Sequence, residues 1–212
     1  MGYRTFVSMK IAVIGTGAIA EAYARRYLHG GHVVLMAWLD NDGTGISNEL
    51  AEYNNLYTCS IEEAAAGGDL IVIATAPKDV REVAYWLGDV RSKVIIDCTS
   101  NVHTDSDSHV STVCAIKAIT GAAHIVKVFG TRGYEKLLKP LFGHEELQLI
   151  MVGESKKAKE IVKILSINLG VHRFFDMGGG DDIPLFNEMT KAWRKLAIEH
   201  NKALLPVVPV RI

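Results

Sequence analysis

Apolar residues in this chain come in short runs separated by stretches of helical periodicity. The runs at Lys10–Gly15, His32–Leu39, Asp69–Ala74, Lys93–Asp97, His124–Phe129, Leu147–Val152 and Val171–Asp176 are dominated by Val, Ile and Leu. They barely alternate with polar residues, as strands buried on both faces read. Between them, helical spacing marks Ala18–His29, Ile46–Asn54, Ser60–Ala66, Asp79–Leu87, Asp107–Ile119 and Ser155–Leu169. This alternation predicts an α/β fold: a doubly wound, mainly parallel sheet with helices on both faces. At the end, Gly178 to Gly180 close a strand, Asp181 and Asp182 offer capping oxygens, and Pro184 suits a first helical turn. Leu185, Met189, Ala192, Trp193 and Leu196 then follow helical spacing, predicting a C-terminal helix over 181–200. No repeat or linker interrupts the pattern, so residues 1–212 read as a single domain, with the sheet and its helices over 10–176.

Composition narrows the function classes. Twenty-three basic and 24 acidic residues leave a net charge of −1, which argues against a grip on nucleic acid or a polybasic membrane anchor. The longest apolar runs, such as Val33–Leu39, are strand-sized and too short to span a bilayer. The first ten residues lack the apolar stretch of a secretory signal. Cys59, Cys98 and Cys114 show no C-x-x-C spacing and read as reduced thiols of a cytoplasmic protein.

The most informative segment is Gly15-Thr16-Gly17-Ala18-Ile19-Ala20, which follows a buried strand and opens a helix. A G-x-G-x-x-G pattern is weak alone and specific in that context. Gly15 permits the tight turn, Gly17 leaves no Cβ between backbone and a pyrophosphate, and Ala20 lets helix and sheet pack closely. Amides at the helix start and the helix dipole favour the anion. The expectation is therefore a Rossmann-type fold holding NADP or NAD. About twenty residues on, Asp40 ends the second strand, where an acid hydrogen-bonds a ribose 2′-hydroxyl and repels a 2′-phosphate. Asp40 could instead be a plain turn residue.

In open α/β sheets ligands sit beyond the carboxyl ends of the strands. The residues leaving those ends are Ala74, Thr75, Ala76, Pro77 and Lys78; Asp97, Cys98, Thr99, Ser100 and Asn101; and Phe129, Gly130, Thr131 and Arg132. Small and hydroxyl side chains there would let a nicotinamide and its ribose lie against backbone, although ordinary strand-to-helix turns use the same residues.

Several segments together carry a family resemblance. They are the Lys-Ile-Ala-Val-Ile-Gly-Thr-Gly opening from Lys10, Ile-Asp-Cys-Thr-Ser-Asn from Ile96, and the stretch from His124 to Thr131, similar to V-V-K-A-F-N-T. Met151 to Lys159 and the F-x-D-x-G of Phe174 to Gly178 complete the order. The chain resembles the NADP oxidoreductases that use the deazaflavin coenzyme F420, and the related cytosolic domain of the STEAP ferric reductases, from Lys10 to about Trp193. The resemblance implies a nicotinamide nucleotide on the Gly15 turn and direct hydride exchange with a flavin-like acceptor, chemistry that needs orientation more than an acid or base. Lys127, Phe129, Gly130, Thr131 and His103 would then lie on the acceptor side. The chain departs from the family at Trp38-Leu39, where the family has Ser-Arg for the 2′-phosphate, and at Gly130, where it has Asn.

Other constellations weigh less. His103, Asp105, Asp107 and His109 alternate, but a polar loop capping the next helix explains them without a metal. Trp86, Trp193, Phe186 and Met189 fall at core spacing, and Leu185, Met189, Trp193 and Leu196 form a stripe that could close a homodimer or cover the chain's own sheet. The reading is an NAD(P)-dependent oxidoreductase acting on a small-molecule acceptor. The alternative is an NAD(H)-binding sensor or partner-binding module without turnover. Pyrroline-carboxylate reductases and β-hydroxyacid dehydrogenases resemble the N-terminal half but need a further helical domain, which the residues after Asp181 cannot supply.

Overall fold

The computed structural model describes residues 8–39, 45–99, 111–130, 147–167 and 169–199. Eight strands form one sheet: β1 (Lys10–Ile14), β2 (Val33–Ala37), β3 (Leu56–Thr58), β4 (Leu70–Ile73), β5 (Val94–Asp97), β6 (His124–Gly130), β7 (Leu147–Val152) and β8 (Val171–Asp176). Their spatial order is β3-β2-β1-β4-β5-β6-β7-β8. All neighbours run parallel except β6 and β7. The chain winds outward from β1 to β3 and returns to β4, so the order switches between β1 and β4, where such sheets open a crevice. Because β7 is reversed, the carboxyl ends of β7 and β8 lie at the opposite edge of the sheet from those of β1, β4, β5 and β6.

Among the described residues the helices are α1 (Ala18–His29), α2 (Asn48–Ala51), α3 (Ile61–Gly67), α4 (Val80–Trp86), α5 (Thr112–Thr120), α6 (Lys156–Ser166) and α7 (Ile183–Glu199). One face of the sheet, with Val13, Met36, Val72 and Met151, packs against Tyr27 of α1, Leu50 of α2 and Val162 of α6. The other, with Ile14, Ile73, Ile95 and Ile150, packs against Ala64 of α3, Val83 of α4, Ile116 of α5 and Phe186 of α7. Every residue from Ile11 to Ile14 and from Leu70 to Ile73 is fully buried, which is why these runs show no polar alternation.

The departures from the sequence expectation are local. Strand β3 was not expected, because three residues at the sheet edge with Tyr57 and Thr58 exposed leave no apolar run. The helix read over 46–54 is a single turn, α2, closed when the Tyr53 N–H turns back to the Leu50 carbonyl. The helix read to Leu169 stops at Ser166, with Gly170 at φ +70° just beyond. Trp86 is not a core residue: it is 57% exposed, since Val80, Val83 and Leu87 already fill the inward stripe of α4. Phe186 is buried and Met189 packs beside it, whereas Leu185 on the same helix stays outside. The side chains of Trp193 and Leu196 lie outside the described residues.

Local chemistry fixes the element ends. Ser60 and Glu63 form a reciprocal capping box at the start of α3. The Lys93 ammonium closes the other end, donating to the carbonyls of Ala65, Ala66 and Gly68 at 2.5, 2.7 and 2.7 Å. At the start of β2, His32 is buried, its Nδ1 accepts the Met9 N–H at 3.2 Å, and its ring packs edge-on to Tyr27.

Burial lowers the His32 pKa, so the folded state holds this ring neutral while the unfolded chain still protonates it. Stability should be full above the unfolded value of about 6.5 and be lost as pH falls from there towards the folded value, with a limiting slope of about 1.4 kcal/mol per unit. Urea midpoints measured from about pH 7.5 to about pH 5.5 should show this fall, and His32→Gln should flatten it. An unchanged slope in that variant would assign the acid sensitivity elsewhere.

Candidate functional site

The turn after β1 is built by two hydrogen bonds. The Gly15 N–H donates to the Ala37 carbonyl and the Ala74 N–H to the Ile14 carbonyl, both at 2.8 Å, tying β1 to the ends of β2 and β4. Gly15 adopts φ +132°, and a Cβ there would lie 2.5 Å from the Ala74 carbonyl oxygen and 3.2 Å from the Thr75 nitrogen. Two constraints, backbone sign and backbone proximity, therefore demand glycine at position 15. Gly17 obeys neither. Its φ is −69°, it caps α1, and a Cβ there would meet nothing within 4 Å among the described residues. The fold would accept a side chain at position 17. A glycine there instead leaves the first amides of α1, which precede any intrahelical bond, open to an anion.

Ala18 is exposed, Ile19 half-buried and Ala20 fully buried, so α1 rises from the turn with only its inner face committed to the sheet. Thr16 and Trp38 close the β2 side: a Cβ on Gly45 would lie 2.7 Å from the Thr16 methyl and 2.6 Å from the indole. On the β4 side, Ala74 is buried, Thr75 half-buried and Ala76 exposed, and Ala76 leads into a 3-10 turn at Pro77–Asp79. The structure thus brings Gly15 against Ala74 and Thr75 across the β1–β4 crevice, with Thr16 on the β2 side and Gly17 open. Asp40, Ser100, Asn101, His103, Thr131 and Arg132 lie outside the described residues.

The ends of β5 and β6 hold an ion pair. Asp97 and Lys127 are opposite one another in the parallel register, with side chains 0% and 8% exposed. Lys127 Nζ donates to Asp97 Oδ2 at 2.8 Å, to Thr112 Oγ1 at 2.8 Å and to Thr99 Oγ1 at 3.0 Å. Asp97 in turn accepts the Thr99 N–H at 2.9 Å and the Thr99 and Thr112 hydroxyls at 2.5 Å each. An ammonium has three protons, and all three are engaged. Lys127, read from sequence as an acceptor-side residue, is therefore a buried tie between strands, and Thr99 is held by it. Phe129 is likewise buried in the core, and Gly130 closes β6 opposite Leu149.

Asp97 is among the strand-end residues read from sequence, but its pairing with Lys127 was missed, as was Thr112. The signal for the pair was present, because Asp97 and Lys127 are opposite charges within two consecutive apolar strands. Thr112 reaches them only through the fold. The neighbouring Cys98 thiol is pushed up to about 12 by burial, against the pull of a hydrogen bond with Tyr23, so it is no nucleophile near neutral pH.

The F-x-D-x-G segment lies at the opposite edge. Asp176 Oδ1 accepts Lys159 Nζ at 2.5 Å and the Gly178 N–H at 3.0 Å. Burial raises the Asp176 pKa, but these two bonds outweigh it and hold the carboxyl below its usual range. Lys159 also donates to the Gly178 carbonyl at 2.8 Å. These residues fasten the junction of β8 and α7, away from the Gly15 turn. Among the described residues no three His, Cys, Asp or Glu side chains gather into a metal site, and His103–His109 lie outside them. No described helix is long and apolar enough to cross a membrane.

Comparison with known proteins places this geometry. A candidate F420-dependent NADP-reductase from Arthrobacter sp. FB24 superposes with a TM-score of 0.78 at 21% identity, covering 96% of this chain and 100% of that one. An imine reductase variant from Myxococcus stipitatus in complex with NAD+ gives 0.65 at 17% identity, covering 92% of this chain and 62% of that one. A pyrroline-5-carboxylate reductase from Coxiella burnetii gives 0.64 at 17% identity, covering 92% and 69%. The two larger enzymes thus share the fold and carry additional chain. No curated protein matches the sequence. Residues 10–101 match the family described as NADP oxidoreductase, coenzyme F420-dependent, whereas the resemblance read beyond them is matched at the level of the fold. That matched segment runs from β1 past the end of β5, less than half of the chain.

Proposed function

We propose that this protein binds a nicotinamide dinucleotide across the β1–β4 crevice and exchanges a hydride with a flavin, a deazaflavin such as coenzyme F420, or another small acceptor at the same sheet edge. The observation that carries the reading is the contrast between the two glycines. Gly15 is explained by the Ala74 carbonyl against it, but among the described residues nothing explains Gly17 except the space above it. That space and the amides of α1 fit a pyrophosphate.

When bound, the nicotinamide supplies or accepts the hydride. The chain's own part is orientation. Ala74, Thr75 and Ala76 form a wall of small residues beyond β4, and Thr99 is fixed at the end of β5 by Asp97 and Lys127. Lys127 is a positioning residue: its protons are held by neighbours, so its contribution is to keep the two strand ends in register. An acceptor that takes up a hydride without protonation by this lysine suits that arrangement.

The test is anaerobic addition of FMN, FAD or F420 to the protein holding reduced nicotinamide nucleotide. Loss of the reduced nicotinamide signal is expected with at least one acceptor. Nucleotide binding without turnover by any of them would sink hydride transfer to these acceptors and favour a sensing module.

Two variants probe the site itself. Gly17→Val should fold, losing only the few degrees that a poorer N-cap costs, and lose about a hundredfold or more in nucleotide affinity, because among the described residues its side chain meets nothing but the ligand. Gly15→Ala, facing a carbonyl at 2.5 Å with positive φ, should instead fail to fold stably. Retained affinity in folded Gly17→Val would move the phosphate site elsewhere. Lys127→Met should cost about 3–5 kcal/mol by stranding Asp97, measured by urea unfolding. Adding Asp97→Asn should recover part of that loss, and full additivity of the two changes would show that the pair is not coupled.

A further inference from the structure

The outer face of α4 belongs neither to the core nor to the crevice. Val80, Val83, Ala84 and Leu87 turn inward and are buried, whereas Arg81, Glu82, Tyr85 and Trp86 are exposed. At about 3.6 residues per turn these four share one side of the helix, and Lys78, also exposed, leads into the same stripe. Tyr85 is 73% exposed and Trp86 57%. Among the described residues none of these five side chains makes an ion pair or a side-chain hydrogen bond. Two neighbouring aromatic rings in water are stabilised by being covered, by roughly 25 cal/mol for each Å² removed from water. Arginine beside tyrosine and tryptophan is also the composition that dominates binding interfaces.

The stripe is its own complement in charge. When two copies of α4 meet antiparallel, with a two-fold axis between positions 83 and 84, Arg81 lies opposite the partner's Trp86 and Glu82 opposite the partner's Tyr85. Two-fold symmetry makes each pairing occur twice. A guanidinium over an indole gains a cation–π contact, and a carboxylate accepts the phenol O–H. The net charge of −1 leaves no general repulsion between copies. The other surface suggested for self-association, the stripe on α7, is largely committed within the protomer: Phe186 is buried and Met189 packs beside it, leaving Leu185 outside. Aromatic rings of about 200 Å² each, roughly two-thirds exposed, contribute on the order of 500 Å² over both protomers of such a pair. The stems of Lys78, Arg81 and Glu82 bring the total to about 1,000 Å², the size of weak, reversible interfaces with dissociation constants on the order of micromolar.

We propose that this protein forms a reversible homodimer through the outer face of α4, with Arg81 stacked on the partner's Trp86 and Glu82 accepting a hydrogen bond from the partner's Tyr85. The pairing is independent of the nucleotide site and stands or falls without it. Sedimentation velocity of the purified full chain, from about 0.5 to about 100 μM, should show the average mass rising from one chain towards two. A mass of one chain throughout, or growth beyond two, would overturn the proposal. Trp86→Gln and Arg81→Glu change exposed side chains, so both should melt as the wild type does where it is monomeric. Each should weaken association about tenfold or more, whereas Arg81→Lys, which keeps a cation over the indole, should stay within about threefold of the wild type. Wild-type association in folded Trp86→Gln would remove α4 from the interface. Loss of association in Leu185→Gln with Trp86→Gln unaffected would move the contact to α7 and end the proposal.

Discussion

Between the ends of β1 and β4 there is room for a hydrogen atom and nothing larger. The Ala74 carbonyl stands 2.5 Å from where a Gly15 Cβ would be, and the sheet's switch of direction is made across that contact. The phosphate turn, the direction of α1 and the small-residue wall after β4 all follow from it. A larger residue would push β4 away from β1 and open the central pair of the sheet, on which both halves of the core are laid. The absence of a side chain is here a structural requirement at Gly15 and, in the proposed nucleotide site, room for a ligand at Gly17, two residues apart.

The Asp97–Lys127 pair shows a different use of constraint. Burying two charges is costly, and a hydrophobic pair of similar volume often serves stability equally well. What the pair adds is directionality. Three donors on the ammonium and two carboxylate oxygens, each met by a threonine hydroxyl or an amide, permit one arrangement of the β5 and β6 ends and of the start of α5. Oily side chains would allow those ends to shift by tenths of an ångström without loss. Orientation-dependent chemistry at this edge makes such slack costly.

Buried strands and the glycine turn were legible because they obey local rules: continuous Val and Ile runs, and a glycine pattern that gains meaning from the strand before it. The same rules miss what is set by distance in space. Strand β3 has no apolar run because it borrows its pairing from β2. Trp86 sits at core spacing, but α4 had a better inward stripe available. Lys127 looked available because a sequence does not display Thr112, fifteen residues upstream, reaching across to its ammonium. The F-x-D-x-G segment looked like part of the site, and the reversal of β7, invisible to periodicity, sends it to the other edge.

The central place of β1 also has a consequence for synthesis. This strand emerges from the ribosome before either of its partners, with Ile11 to Ile14 destined for complete burial. Its first partner, β2, follows within about one crossover, but its second, β4, is complete only at Ile73. Until then this buried strand has one hydrogen-bonding edge unpaired, the condition in which chains associate wrongly. While the segment between β2 and β4 is being translated that edge stays open, and slowing translation there would prolong the exposure.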